Sequence, residues 1–262
     1  MHTTRHLALL AALLILAISC KREDHHTNAN VELAHHPEAR HILAPGMGTL
    51  GIIENSAVTV YYLSEKNLWI QDKTSQFIIP EDNRGLIALG MGNLGVIREE
   101  YMHVYRLDQE NRWRQDEAYS LKLPRRYQRM IAVKMPWEMG VVAFEMNGFL
   151  EFFYYDERYQ WIHDETASFR IPEGIDDYFS MGNMTVAVTH ENKLGVYFIH
   201  PEGDWRFLDE MVLQLPEGYQ AIIPFEPGVI AVLLNGYLRF YELNLATGSW
   251  TTDPDMDFGL GV

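Results

Sequence analysis

Cysteine, long apolar runs and positive charge are all scarce in this chain. It has one cysteine, Cys20, among 262 residues, which excludes an intramolecular disulfide and a cysteine-based zinc site. The apolar run at Leu7–Ile18 is shorter than the about 20 residues that a membrane-spanning helix needs. Lysine and arginine total 21 against 36 acidic residues, giving a formal net charge of −15. A chain this acidic repels phosphate backbones, so we expect no nucleic-acid partner.

Common catalytic signatures are also missing from the sequence. It contains no Gly-x-Ser-x-Gly, no phosphate-binding glycine loop and no His-Glu-x-x-His, which are frequent marks of hydrolases, nucleotide enzymes and metalloproteases. A histidine cluster lies in a segment that fixes no geometry for a metal: His25, His26, His35, His36 and His41. We therefore predict that the protein is not an enzyme and that it holds neither a metal nor another cofactor.

Residues 1–19 resemble a secretory signal peptide. Their apolar run has the length of a signal core and leads into Leu16-Ala17-Ile18-Ser19-Cys20. This segment resembles the lipobox of bacterial lipoproteins, in which an aliphatic stretch and a small residue precede the cysteine that receives lipid. The resemblance implies cleavage before Cys20, acylation of Cys20 with palmitate-type chains, and a lipid anchor in the bacterial cell membrane. An ordinary signal peptide with an incidental cysteine is the alternative.

Residues 20–40 are polar and show little periodicity. We interpret them as a flexible tether that carries the following domain, residues 41–262, away from the lipid surface. Lys21, rather than an aspartate, follows the lipidated position. In enteric bacteria an aspartate there retains lipoproteins in the inner membrane. The resemblance therefore implies the outer membrane, on its periplasmic or its surface face.

Five tryptophans recur along residues 41–262 at steps of 44, 48, 44 and 45 residues. Each is followed eight and ten residues later by an apolar side chain, and three or four residues later by an aspartate. Alternating apolar positions at a fixed offset are typical of strands. The recurrence predicts five copies of one structural unit, marked by Trp69, Trp113, Trp161, Trp205 and Trp250.

The layout of one unit follows from the turns of the third and fifth copies and from the strands of the second. Asn147-Gly148 and Asn235-Gly236, in the third and fifth copies, are typical of two-residue hairpin turns, because both residues readily take positive φ. Four short strands per unit of about 44 residues predict an all-β fold, a five-bladed β-propeller. The expected strands of the second copy are Leu86–Leu89, Leu94–Ile97, Met102–Leu107 and, after a turn that presents Trp113, Leu121–Leu123.

Two segments of these units resemble kelch-type propeller repeats, which combine an apolar strand, a tyrosine, a polar turn and a tryptophan. They are Leu238–Trp250 and Tyr154–Trp161. The paired glycines of kelch repeats are absent, so the resemblance implies a degenerate, propeller-like repeat. The way in which the ring closes stays open at this point. Phe258–Leu260 would complete the first blade if the last strand of each unit belonged to the next blade, and residues 25–40 would complete a six-bladed ring.

The recurring tryptophans and aspartates are interpreted as structural, because residues that must recur in every unit define the fold. We expect the tryptophans to pack between blades and the aspartates to bond turn amides. Trp137 lies outside the repeat pattern, in Met135-Pro136-Trp137-Glu138. A large aromatic in a loop is suited to anchor a partner, so Trp137 and Glu138 are the predicted binding residues. Packing of Trp137 onto its own blade is the alternative.

These observations favour a non-catalytic, membrane-anchored propeller that acts as a protein-binding scaffold in the cell envelope. The architecture is similar to that of propeller lipoproteins that scaffold outer-membrane assembly. A lectin-like, carbohydrate-binding module is the alternative, and it would repeat exposed polar and aromatic residues in every unit. The turn sequences differ between copies, which favours a single asymmetric protein partner over a glycan. A glycosidase, with carboxylates from separate blades, fits the sequence least.

Overall fold

The computed structural model describes residues 41–133 and 141–259, except residues 47, 65, 67, 109, 111, 157, 159, 201 and 202. Within them the chain forms five antiparallel sheets, one from each sequence repeat, in which consecutive strands are neighbours. This arrangement confirms the predicted five-bladed β-propeller. The first strand of each sheet lies innermost, because these strands approach one another across the blade boundaries.

Blades 1 to 3 each contain four strands. Blade 1 comprises β1 (His41–Leu43), β2 (Thr49–Glu54), β3 (Ala57–Leu63) and β4 (Trp69–Ile78). Blade 2 comprises β5 (Gly85–Gly90), β6 (Asn93–Arg98), β7 (Tyr101–Leu107) and β8 (Trp113–Lys122). Blade 3 comprises β9 (Met130–Val133), β10 (Val141–Met146), β11 (Phe149–Tyr155) and β12 (Trp161–Arg170).

In blades 4 and 5 a short 3₁₀ turn divides the outer strand into two pieces. Blade 4 comprises β13 (Asp177–Gly182), β14 (Thr185–His190), β15 (Lys193–Ile199), β16 (Trp205–Phe207) and β17 (Leu213–Gln214). Blade 5 comprises β18 (Ala221–Glu226), β19 (Val229–Leu234), β20 (Tyr237–Asn244), β21 (Ser249–Thr252) and β22 (Phe258–Gly259). The two turns are Asp209–Met211 and Pro254–Met256. In the described part of the chain no helix has the length and apolarity to cross a membrane.

Two-residue turns join the second and third strands of the blades, as the sequence predicts. Asn147 and Gly148 have φ values of 54° and 81°, and Asn235 and Gly236 have φ values of 51° and 79°. These turns lie at the same end of the blades as the connections from one blade to the next, which we call the connection face. The turns between first and second strands lie at the other end, the opposite face.

The outer strands differ from the prediction for their unit. The expected strand Leu121–Leu123 overlaps only the end of a ten-residue strand that begins at Trp113 itself and ends at Lys122. A β-bulge interrupts its pairing with β7, where the register shifts between Met102 and Val104. Residues inserted at a bulge do not follow the alternation of a regular strand. The apolar pattern is therefore visible only after the bulge, which is why the first half of this strand escapes sequence analysis.

The aspartates that follow the tryptophans stabilise these irregular segments. Asp72 accepts hydrogen bonds from the Thr74 amide at 2.8 Å and from the Thr74 hydroxyl at 2.6 Å, and the buried Ser75 hydroxyl donates to its other oxygen at 2.5 Å. Burial acts to raise the pKa of Asp72, but the hydrogen bonds from Ser75 and Thr74 outweigh it and lower the pKa. The same amide bond recurs from Ala118 to Asp116, from Thr166 to Asp164 and from Asp255 to Asp253. The predicted role in turns is confirmed for these four aspartates.

A ring of five indole hydrogen bonds ties each blade to the preceding one. Every repeat tryptophan donates its Nε1–H to the backbone carbonyl found six residues after the preceding blade's tryptophan. The bonds run from Trp113 to Ser75 (2.8 Å), from Trp161 to Tyr119 (3.1 Å), from Trp205 to Ala167 (3.1 Å), from Trp250 to Met211 (2.9 Å) and from Trp69 to Met256 (3.0 Å). The predicted packing of these tryptophans between blades is confirmed.

The last of these bonds joins blade 1 to blade 5, so the ring is closed. A continuous apolar core spans this junction and includes Trp69 and Phe258, whose ring centroids lie 5.2 Å apart. The Gly48 amide also donates to the Glu226 carboxylate across it. Phe258 pairs with Leu238 inside blade 5, so the last strand does not complete blade 1. The six-bladed alternative is wrong, because the first and fifth blades pack directly together.

Candidate functional site

Blades 3 and 4 carry polar residues at the connection face where the other blades are apolar. The fifth residue of the second strand is Ile53, Ile97 or Leu233 in blades 1, 2 and 5. In blades 3 and 4 this position holds Glu145 and Thr189. The residues beside them, at or just before the start of the first strand, are charged: Arg129, whose carbonyl accepts the Glu145 amide at 2.8 Å, and Asp177, which pairs with Thr189.

Four side chains of blades 3 and 4 form one connected group, which we call the polar cluster: Arg129, Glu145, Asp177 and Tyr178. The Arg129 guanidinium forms an ion pair with Asp177 and lies over the Tyr178 ring, with 4.5 Å between Cζ and the ring centroid. The Tyr178 hydroxyl donates a hydrogen bond to Glu145. Asp177 also accepts the Tyr178 amide at 2.8 Å. The cluster therefore joins blade 3 to blade 4 and holds each member in a fixed position.

The polar cluster combines hydrogen-bonding groups with a net negative charge. Burial raises the pKa of Tyr178, and its hydrogen bond to Glu145 raises the pKa further, so the phenol remains a neutral donor at physiological pH. Burial acts to lower the pKa of Arg129, but Asp177 outweighs it and the pKa rises. The side chains of Arg129 and Asp177 are 42% and 54% exposed. A ligand with amides or hydroxyls can therefore reach both charges.

Exposed aromatic side chains lie on the same face. Tyr101, Phe149 and Tyr237 are the first residues of β7, β11 and β20 and are 40%, 39% and 62% exposed. Each follows the two-residue turn of its blade, so the turn places it at the surface. The equivalent residues of the other blades are Ala57 and Lys193. We call the three exposed aromatic side chains the aromatic triplet.

The binding and lipidation residues predicted from the sequence, Trp137, Glu138 and Cys20, lie outside the described residues. Val133 and Val141, which flank the segment with Trp137, pair at the opposite face. The polar cluster was not predicted from the sequence, although a signal for it exists. Glu145 and Arg129 replace residues that the repeat pattern makes apolar or uncharged in blades 2 and 5. Comparing the units position by position, rather than loop by loop, would have found them.

No group of three histidine, cysteine, aspartate or glutamate side chains able to hold a metal ion occurs among the described residues. The polar cluster contributes two carboxylates, Glu145 and Asp177, but each is already engaged by a neighbouring side chain. The arrangement is thus suited to hydrogen bonding and charge pairing with a ligand.

No protein-family profile matches the sequence, and no curated protein matches it. Similar solved structures include a functionally unknown protein from Desulfotomaculum acetoxidans (11% identity, 84% of this chain and 69% of that chain, TM-score 0.43). Another is the periplasmic gluconolactonase of Pseudomonas aeruginosa (14% identity, 81% and 68%, TM-score 0.37). A third is the SapL1 lectin in complex with alpha methyl fucoside (13% identity, 80% and 77%, TM-score 0.42).

The prediction that this chain is not an enzyme is wrong. A gluconolactonase is among the solved structures that it resembles, and the lack of common catalytic motifs does not by itself exclude catalysis. The likeness assigns no reaction to this chain, because one fold hosts many unrelated functions.

Proposed function

We propose that the protein is a lipid-anchored propeller of the bacterial cell envelope that binds a protein partner through its connection face. The observation that carries this proposal is the presence of the polar cluster and the aromatic triplet on that one face. Aromatic and arginine side chains provide most of the binding energy in protein interfaces. A rim of charged groups around them sets orientation and specificity.

The asymmetry of the connection face favours a protein partner over a repeated glycan. A lectin with one sugar site in each blade would present equivalent side chains five times. Here the aromatic position is filled in three blades and replaced by Ala57 and Lys193 in the other two. The polar cluster occurs between blades 3 and 4, and the equivalent second-strand residues of blades 1, 2 and 5 are aliphatic. A single asymmetric surface is therefore presented.

The test is cross-linking and capture of the full-length protein from detergent-solubilised native membranes. We expect one stoichiometric protein partner, lost when Phe149 and Tyr237 are both changed to serine and weakened by Arg129→Gln. Tyr62→Ser is the matched control, because Tyr62 is 40% exposed but lies towards the opposite face. Trp137→Ala is compared in parallel. Equal loss with Tyr62→Ser and with the double variant would contradict a specific surface.

Two other outcomes would replace the proposal. Retention of the protein on envelope polysaccharide, with no protein partner, would establish the lectin-like function. Hydrolysis of a sugar lactone by the purified protein, abolished by Glu145→Gln, would establish an enzyme. The anchor is tested separately with Cys20→Ser, which should release the protein from the membrane fraction and leave its far-ultraviolet circular dichroism unchanged.

A further inference from the structure

In three of the four connections between consecutive blades, one side chain packs onto the apolar core of the blade junction. We call it the plugging side chain. Each connection starts with a proline: Pro80, Pro124, Pro172 and Pro216. Three residues after the last three prolines stand Tyr127, Ile175 and Tyr219, and each packs onto the apolar core of its own blade junction. The Tyr127 ring, for example, lies 5.3 Å from the Phe144 ring.

The connection between blades 1 and 2 has Asn83 at this position. Its side-chain amide turns back to its own loop and donates to the Pro80 carbonyl at 2.7 Å. Asn83 is exposed and does not belong to the core between blades 1 and 2. The place that a tyrosine or isoleucine fills at the other three junctions is therefore left open here.

A cleft of 730 Å³ lies at this junction on the connection face. Such a volume falls in the range of small-molecule sites, about 300–1,000 Å³. Aliphatic side chains from both blades line it: Ile42, Leu43, Ile53, Ile79 and Leu86. These side chains would bind the apolar body of a ligand and remove it from water.

The rim of the cleft supplies polar groups, including Arg84, Glu81 and Ser56. The nearby Asp82 is already engaged, because Arg98 donates to it at 2.9 and 2.7 Å. Among the described residues, none forms an ion pair with Arg84. A guanidinium that forms no ion pair can hold an anionic head group through two parallel hydrogen bonds.

We propose that this cleft is a binding site for a small amphipathic molecule with an apolar chain and a carboxylate head, kept open because Asn83 replaces the plugging side chain of the other junctions. The chain lies on the aliphatic side chains and the carboxylate binds Arg84. This site is distinct from the polar cluster and from the aromatic triplet, so its test does not depend on the protein partner.

Titration calorimetry on the full chain with octanoate, octanol and octylammonium near neutral pH tests the site. We expect one saturable site for octanoate, weaker binding of octanol and the weakest binding of octylammonium. Asn83→Tyr should abolish octanoate binding, because the ring fills the cleft. Asn83→Ala, which removes the amide without filling the space, should leave it unchanged.

Arg84→Gln should weaken octanoate binding about tenfold, the effect of losing one charge-assisted interaction, and should not affect octanol. The matched control is Arg125→Gln, in the connection between blades 2 and 3. Circular dichroism establishes that each variant is folded. The proposal is overturned if octanoate does not bind, if Asn83→Tyr leaves its affinity unchanged, or if octylammonium binds more tightly than octanoate.

Discussion

Replacement of Trp69 by phenylalanine tests how the ring is closed. Trp69 is 5% exposed, and its indole donates to the Met256 carbonyl at 3.0 Å across the junction of blades 1 and 5. It also packs against three rings, including Phe240 with 5.9 Å between centroids. Phenylalanine retains an aromatic ring but has no N–H and fills less space.

The expected loss has two parts. A carbonyl left without its buried partner costs about 1–3 kcal/mol, and the smaller ring leaves a gap that adds about 1 kcal/mol. We therefore expect Trp69→Phe to lower the free energy of unfolding by about 2–4 kcal/mol. Trp69→Ala, which removes the ring contacts as well, should cost about 3–5 kcal/mol.

The measurement is urea unfolding monitored by far-ultraviolet circular dichroism. Tyr62→Phe is the control, because this residue is on the neighbouring strand and is substantially exposed. Its effect should stay within about 0.5 kcal/mol. An equally small effect of Trp69→Phe would refute the conclusion that the indole hydrogen bond and its ring contacts hold the first blade to the fifth.

Three further predictions concern the turns and the polar cluster. Gly46→Ala should destabilise the fold more than Gly174→Ala, as measured by urea unfolding. Both glycines have positive φ, but an added Cβ at Gly46 would meet a backbone nitrogen at 2.6 Å. At Gly174 the added Cβ meets nothing within 4 Å. Tyr178 has a raised pKa when folded, so its contribution to stability is complete below the ordinary pKa of 10.0 and is lost as pH rises through the folded value. Glu145→Gln should lower the folded pKa, so that the loss is smaller and is complete at a lower pH, as measured by unfolding at a series of alkaline pH values; an unchanged profile would contradict the assigned hydrogen bond. Asp72→Ala should cost about 1–3 kcal/mol in the same unfolding assay, because it leaves a buried serine hydroxyl without its acceptor.

The repeat made the architecture predictable, and its irregular segment limited the prediction. Alternating apolar residues identified the first three strands of the unit, since side chains in a regular strand alternate between faces. The outer strand was recognised only at its C-terminal end. At Asp116 the alternation stops, because a bulge inserts residues that the partner strand does not match. Apolar alternation in the sequence indicates regular strand pairing, and it is absent where a bulge makes the pairing irregular.

The candidate site was only partly accessible from the sequence. Residues that break the repeat pattern are candidates for function, and in the loops they point to Trp137, which lies outside the described residues. The polar cluster lies at strand ends in two consecutive blades, and Glu145 is 33 residues before Tyr178 in the chain. Nothing local to either residue indicates that they meet. The cleft between blades 1 and 2 could not be predicted from the sequence either. The effect of Asn83 in place of a plugging side chain is visible only when the blade junctions are compared in the structure.

The sequence by itself determined the five repeat units, the turn chemistry and the structural role of the recurring tryptophans and aspartates. These properties follow from local periodicity and from residue types that must recur in every unit. The tertiary structure alone decided that the first blade packs on the fifth, which carbonyl accepts each indole, and which polar and apolar side chains share the connection face. The physical reason is that these contacts join residues of different blades, and their distances are set by the closed ring and not by the spacing along the chain.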